Sequence, residues 1–215
     1  MNMDFNLFTP TKLLFGRGKL NELGNQKLPG RKALLLISSG QSVKTSGTLD
    51  RVTAQLDKAG AAYVICNNIH ENPSKEVVME AAACAKGNGC DFILALGGGA
   101  VLDSAVAVAA MATNPGDLWD YVCGGTGKAQ PLLHPGLPIV TIATTSGTGS
   151  EINCWGVISN HETNEKIGFG DPSLNPVLAI VDPELMRTIP ARYTAYQGFD
   201  ALFHNTCLLY TSDAA

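Results

Sequence analysis

Short apolar runs, set apart by polar and glycine-rich breaks, alternate along the chain with stretches of helical spacing. KALLLIS at residues 32–38, AAYVIC at 61–66, FILAL at 92–96 and IVTIA at 139–143 have strand length. Their unbroken apolar character predicts strands buried on both faces. Shorter strands are predicted at 155–159 and 179–181. An opening strand with a turn is predicted in residues 8–23, which contain Pro10, Gly16 and Gly18. Residues 48–59 alternate apolar and polar positions at helical spacing. Asn72-Pro73-Ser74 caps a helix running to about Lys86, with Glu76 and Glu80 in its early turns. Residues 38–47 predict a Gly/Ser-rich loop and 114–138 a long polar connection. Strand and helix alternate throughout, which predicts an α/β fold with a doubly wound, mostly parallel sheet.

Composition narrows the function classes. With 215 residues, 45% hydrophobic, 16% charged and a net charge of −4, the chain has the make-up of a globular protein of one domain, or of one domain and part of another. It carries no basic patch, so nucleic acid is not an expected partner. No apolar run reaches membrane-span length, so no membrane partner is expected. The opening MNMDFNLFTP has no basic, apolar signal region, and the cytoplasm is the default location. The six cysteines (Cys66, Cys84, Cys90, Cys123, Cys154 and Cys207) form no CxxC pair. They read as reduced, mostly buried thiols.

Three stretches carry candidate chemistry. In DFILALGGGAVLDSAVAVAA a buried strand feeds Gly97, Gly98 and Gly99, and Asp103 and Ser104 then open an alanine-rich helix. Glycines permit positive φ and close backbone approach, and a helix N-terminus offers unpaired N–H groups to an anion such as a diphosphate. A tight turn without a ligand is the plain alternative. TTSGTGSE, residues 144–151, follows another strand and packs five hydroxyls and two glycines into eight residues. Such a loop suits ribose, phosphate and amide contacts, or is a simple Ser/Thr turn. In GFDALFH, Asp200 and His204 stand four residues apart on one helix face. They form either two ligands for a divalent metal or a surface ion pair. Two other motifs fail. Gly124-Gly125-Thr126-Gly127-Lys128-Ala129 lacks the hydroxyl after its lysine that a P-loop needs, and no GxGxxG follows the first strand.

Read together, FTPTKLLFGRGKL (8–20), NPS (72–74), GGGAVLDSA (97–105), TTSGTGSE, LNPVLAIVDPEL (174–185) and GFDALFH resemble the iron-containing (group III) alcohol dehydrogenase family, in its butanol dehydrogenase-like branch. The resemblance implies a Rossmann-like dinucleotide-binding domain over residues 1–188 and, at 189–206, the first helix of an all-helical metal-binding domain. It implies NAD(P)-dependent, metal-dependent interconversion of a primary alcohol and an aldehyde, with Fe2+ or Zn2+ as the metal and a homodimer as the intact form. By the same resemblance Gly97, Gly98 and Gly99 hold the cofactor diphosphate and Asp103 lies near the nicotinamide. Thr144, Thr145 and Thr148 line the adenosine and ribose region, Lys166 contacts a cofactor ribose, and Asp200 and His204 are metal ligands. Two further histidine ligands of the family are not in this chain.

Some features depart from the family. Ala100 stands where the family usually has Ser, and Val106 where it usually has Lys; either change weakens the expected cofactor site. Residues 207–215, CLLYTSDAA, equal one in-frame translation of a sequencing-library transposase adapter. The expectation is therefore an incomplete reading frame, an inactive fragment and a tail without biological meaning. The neutral stretch after the first strong strand, with Ser39, Gln41, Ser42 and Lys44 and no carboxylate before Asp50, favours NADP over NAD, because nothing there repels a 2′-phosphate. The alternatives are a zinc enzyme like glycerol dehydrogenase or dehydroquinate synthase, and a nucleotide-binding module without catalysis.

Overall fold

The computed structural model describes residues 8–211. Six strands form one parallel sheet: β1 (Lys12–Phe15), β2 (Lys32–Ser38), β3 (Ala62–Ile69), β4 (Phe92–Gly97), β5 (Ile139–Ala143) and β8 (Leu178–Val181). Their order is β1-β8-β5-β4-β2-β3. The helices are α1 (Ser42–Thr45), α2 (Thr48–Lys58), α3 (Lys75–Gly87), α4 (Gly99–Met111), α5 (Leu118–Tyr121) and α6 (Ala191–Thr211).

Strand periodicity divides the core in two. Leu34, Leu36, Ile93 and Ala95 face α3 and α4 on one side, while Leu35, Ile37, Phe92 and Leu94 face α2 and the 3-10 turn Lys19–Asn25 on the other. The chain runs outward from β2 to β3, then returns to place β4 and β5 on the opposite flank. The crevice at the carboxyl ends of β2 and β4 is therefore the switch point at which open α/β sheets bind ligands.

Three differences from the sequence expectation matter for the site. Residues 155–159 do not join the parallel sheet. They are part of β6 (Trp155–Asn160), which pairs antiparallel with β7 (Glu165–Gly170) in a separate hairpin. The hairpin covers the outer side of α4, and a Cβ on Gly156 would run into the Asp103 carbonyl. That cover lets α4 be alanine-rich and buried almost all round. Second, α4 begins at Gly99 rather than at Asp103, which lies in its second turn. Third, the predicted loop 38–47 contains the short helix α1. Of the tail expected at 207–215, residues 212–215 lie outside the described residues, as do residues 1–7 of the expected first domain.

The rejected P-loop stretch serves to anchor the hairpin. Glu165 accepts from Trp119 Nε1 (2.9 Å), Thr126 N (2.7 Å), Thr126 Oγ1 (2.6 Å) and Thr163 Oγ1 (2.6 Å). Its carboxyl is held down to about 2, first by the Thr126 and Thr163 hydroxyls. Lys128 Nζ bonds Asp120 Oδ1 at 2.6 Å and so faces away from any phosphate role. Cys66, Cys84, Cys90, Cys123 and Cys154 are free thiols, and burial pushes Cys66 up to about 11. Among the described residues no helix is long and apolar enough to cross a membrane.

Candidate functional site

The glycine turn and the TTSGTGSE loop are neighbours because their strands are. Gly97 is in register with Ala143, and Thr144 N donates to Gly97 O at 2.9 Å. The two loops then interlock. A Cβ on Gly98 would lie 2.8 Å from Thr145 Oγ1, and one on Gly99 2.8 Å from Thr148 Cγ2. Neither glycine has positive φ, nor does Gly97. The expected freedom of φ is thus not the reason for glycine here; the close approach of the second loop is. Val101 N and Leu102 N both return to Gly98 O, and no side chain caps α4. The N–H groups of Gly99 and Ala100 therefore stand at the helix opening without an acceptor in their own helix, where the helix dipole favours an anion.

The far side of the TTSGTGSE loop holds α6. Ser146 N and Oγ donate to Gln197 Oε1 at 2.8 and 3.0 Å. Gly147 has φ +105°, and a Cβ there would lie 2.7 Å from Asp200 Oδ2. His204 Nδ1 lies 3.1 Å from Gly147 O. A carbonyl only accepts, so Nδ1 carries the proton, and neutral His204 presents a bare Nε2. That nitrogen is 3.9 Å from Asp200 Oδ1. Two acceptors facing each other fit a shared cation, while a doubly protonated imidazole would make the ion pair instead. Among the described residues no three His, Cys, Asp or Glu side chains cluster as a metal site.

Asp200 and His204 open onto a cavity of about 490 Å³ that also takes in Asp103, Thr148, Trp155 and Lys166. Asp103 accepts from Val157 N at 3.0 Å, tying α4 to the hairpin. Burial raises its carboxyl above the usual aspartate value, against the lowering by Val157 N–H, Ser150 and Lys166. Lys166 reaches from β7 to Asn72 Oδ1 at 2.7 Å. Thr144 and Thr145 line a different cavity of about 260 Å³, with Ser42, Tyr193 and Gln197. Thr148 is therefore separated from the two threonines with which it was grouped. Ser39 and Ser42 line a third cavity at the end of β2, whereas Gln41 is the N-cap residue of α1 and lines none of these cavities. Val106 is buried in the core on the α3 and α4 side of the sheet. Sequence reading overlooked Gln197, although it shares a helix face with Asp200 and His204 at spacings of three and seven. It also overlooked His70 and Glu71, which follow β3 and carry no local signal.

A family model described as iron-containing alcohol dehydrogenase matches residues 10–183. The chain belongs to the iron-containing alcohol dehydrogenase family. It is 41% identical over 201 residues to "Probable NADH-dependent butanol dehydrogenase 1" of Bacillus subtilis, covering 94% of this chain and 51% of that protein. It is 35% identical over 201 residues to the NADPH-dependent aldehyde reductase YqhD of Escherichia coli, again covering 94% and 51%. The crystal structure of NADH-dependent butanol dehydrogenase A from Thermotoga maritima superposes with a TM-score of 0.86 at 37% identity, covering 94% of this chain and 50% of that one. The chain spans about half the length of these family members. The relatives include NADH- and NADPH-dependent enzymes alike, so kinship leaves the choice of cofactor open.

Proposed function

We propose that the protein is the cofactor-binding half of an NAD(P)-dependent, metal-dependent alcohol dehydrogenase or aldehyde reductase that moves a hydride between nicotinamide and a primary alcohol or aldehyde. One observation carries this reading. Asp103 on α4, Thr148 after β5, Lys166 on β7 and Asp200 with His204 on α6 come from distant stretches and line one cavity. The groups present fit both guests. The uncapped opening of α4 suits a diphosphate, and the bare imidazole nitrogen beside a carboxylate suits a divalent cation.

Bound nicotinamide would supply the hydride chemistry, and a divalent ion, Fe2+ by kinship or Zn2+, would supply Lewis acidity toward the substrate oxygen. The chain's own residues bind and orient. Gly99 and Ala100 N–H would receive the diphosphate, with Gly97 and Gly98 shaping the turn. Thr144 and Thr145 would line the adenosine side, with Ser39, Ser42 and the neighbouring Gln41 near its ribose. Lys166, held by Asn72, would reach the nicotinamide ribose. Asp103, which accepts from Val157 N, fixes the hairpin that would wall the nicotinamide side. Asp200 and His204 would supply two of the metal ligands, with His204 oriented through Gly147.

The chain taken alone has a second reading, as a nucleotide-binding unit without catalysis. The absence of any three-ligand cluster among the described residues favours it. The test is titration of the chain with NADH and NADPH, followed by nucleotide fluorescence, alongside metal analysis after dialysis. Binding of a dinucleotide without stoichiometric metal is expected. No binding of either nucleotide refutes the proposed function, and tightly held stoichiometric metal refutes the two-ligand account.

A further inference from the structure

The ends of β2 and β3 face each other across a cavity of about 530 Å³ lined by Ser38, Ser39, Gly40, Ser42, His70 and Glu71. A register shift brings them together. Leu36 pairs with Cys66 but Ser38 pairs with Ile69, so β3 carries one extra residue there. Ser39 N then donates to Ile69 O at 2.8 Å, and Ser39 Oγ lies 2.8 Å from His70 Nδ1.

This pair keeps a donor for the cavity in either histidine tautomer. A serine hydroxyl and a neutral imidazole own one N–H and one O–H between them, and their mutual bond uses one. If Ser39 donates to Nδ1, then Nε2–H remains. If Nδ1–H donates to Ser39, the hydroxyl proton remains. A protonated imidazole adds a second donor and a charge. Charge-assisted bonds of this kind are the strong ones toward phosphate. The opposing charge on the same wall is Glu71, which repels a phosphate and can accept from ribose hydroxyls.

We propose that His70 is a specificity-determining residue for the adenosine ribose. With Ser39 it receives a 2′-phosphate, and Glu71 opposes it, so the end of β3 sets the balance between NADP and NAD. The β2 loop, whose side chains are neutral up to Lys44, does not set it alone. The inference rests on the dinucleotide reading above and goes beyond it in naming the residue that reads the 2′ position.

The test uses two probes, 2′-phospho-ADP-ribose and ADP-ribose, titrated calorimetrically into the wild-type chain, His70→Ala and Glu71→Gln. Loss of one charge-assisted bond weakens binding about tenfold. His70→Ala is therefore expected to weaken 2′-phospho-ADP-ribose about tenfold and to leave ADP-ribose within about twofold. Glu71→Gln is expected to strengthen the phosphorylated probe. His70 is exposed, so alanine opens no cavity in the core. As a separate readout, the His70 ring-proton resonances should shift with the phosphorylated probe and stay in place with ADP-ribose. Equal losses for both probes, or no loss, overturn the role of His70 while leaving dinucleotide binding intact. If the wild type binds neither probe, the dinucleotide reading falls and this inference falls with it.

Discussion

Gly99→Ala tests whether the glycine turn is glycine because of its neighbour. Two effects of opposite sign compete. Gly99 opens α4 and its φ is not positive, so alanine there would stabilise by about 0.4–1 kcal/mol through the unfolded chain and helix propensity. Against this, the new Cβ would sit 2.8 Å from Thr148 Cγ2. Carbon atoms prefer about 3.5–4.0 Å, and forcing an extra methyl into a packed site costs about 1–3 kcal/mol. The overlap wins, and the variant should be less stable by about 1 kcal/mol. Thr148→Ser removes the offending methyl and keeps Oγ1, which lies 3.4 Å from the same Cβ position. In that background Gly99→Ala should be stabilising by a few tenths of a kcal/mol, because only the propensity effect survives. Urea unfolding of the four proteins of this double-mutant cycle gives the coupling directly. The same sign for Gly99→Ala in both backgrounds would refute interlocking of the two loops as the reason for glycine.

Three further outcomes are expected. The raised carboxyl of Asp103 binds its proton more tightly in the folded than in the unfolded chain, so its contribution falls as pH rises from the ordinary value of 3.8 through the raised one and is level above that. Asp103→Asn should remove this decline, and a stability difference between the two proteins that does not change with pH would contradict it. Asp182 is fully buried and accepts from Gly18 N, Leu20 N and Glu184 N, each at 3.1 Å, so Asp182→Ala should cost about 3 kcal/mol in thermal or urea unfolding. A loss below about 0.5 kcal/mol would mean that water replaces the carboxylate at those donors. Finally, Phe199, Leu202 and Phe203 are exposed on α6, and such a face promotes association. The chain should self-associate in sizing experiments and become monodisperse when all three are changed to serine, whereas a monodisperse wild-type monomer would count against it.

Period and punctuation in the sequence were enough to find β2, β4, β5, α2 and α3, and to join Phe92 to Met111 into a strand, turn and helix. Those features depend on residues a few positions apart. The same holds for Asp200 and His204, whose spacing puts them on one helix face without reference to anything else. Other features depended on contacts between distant segments. β6 resembles any short strand, and only its pairing with β7 over the outer side of α4 makes it half of a hairpin. The three glycines look like a flexible turn, and only Thr145 and Thr148 packing against Gly98 and Gly99 shows that their lack of a Cβ is what matters. Thr145 and Thr148 sit three residues apart yet face different cavities, because the loop between them turns at Gly147 around Asp200. The loop after β2 looked free of carboxylates, and only its pairing with β3 brings His70 and Glu71 to its side. Local periodicity reports which face a residue is on, whereas the partner that occupies that face is a long-range property of the packed sheet.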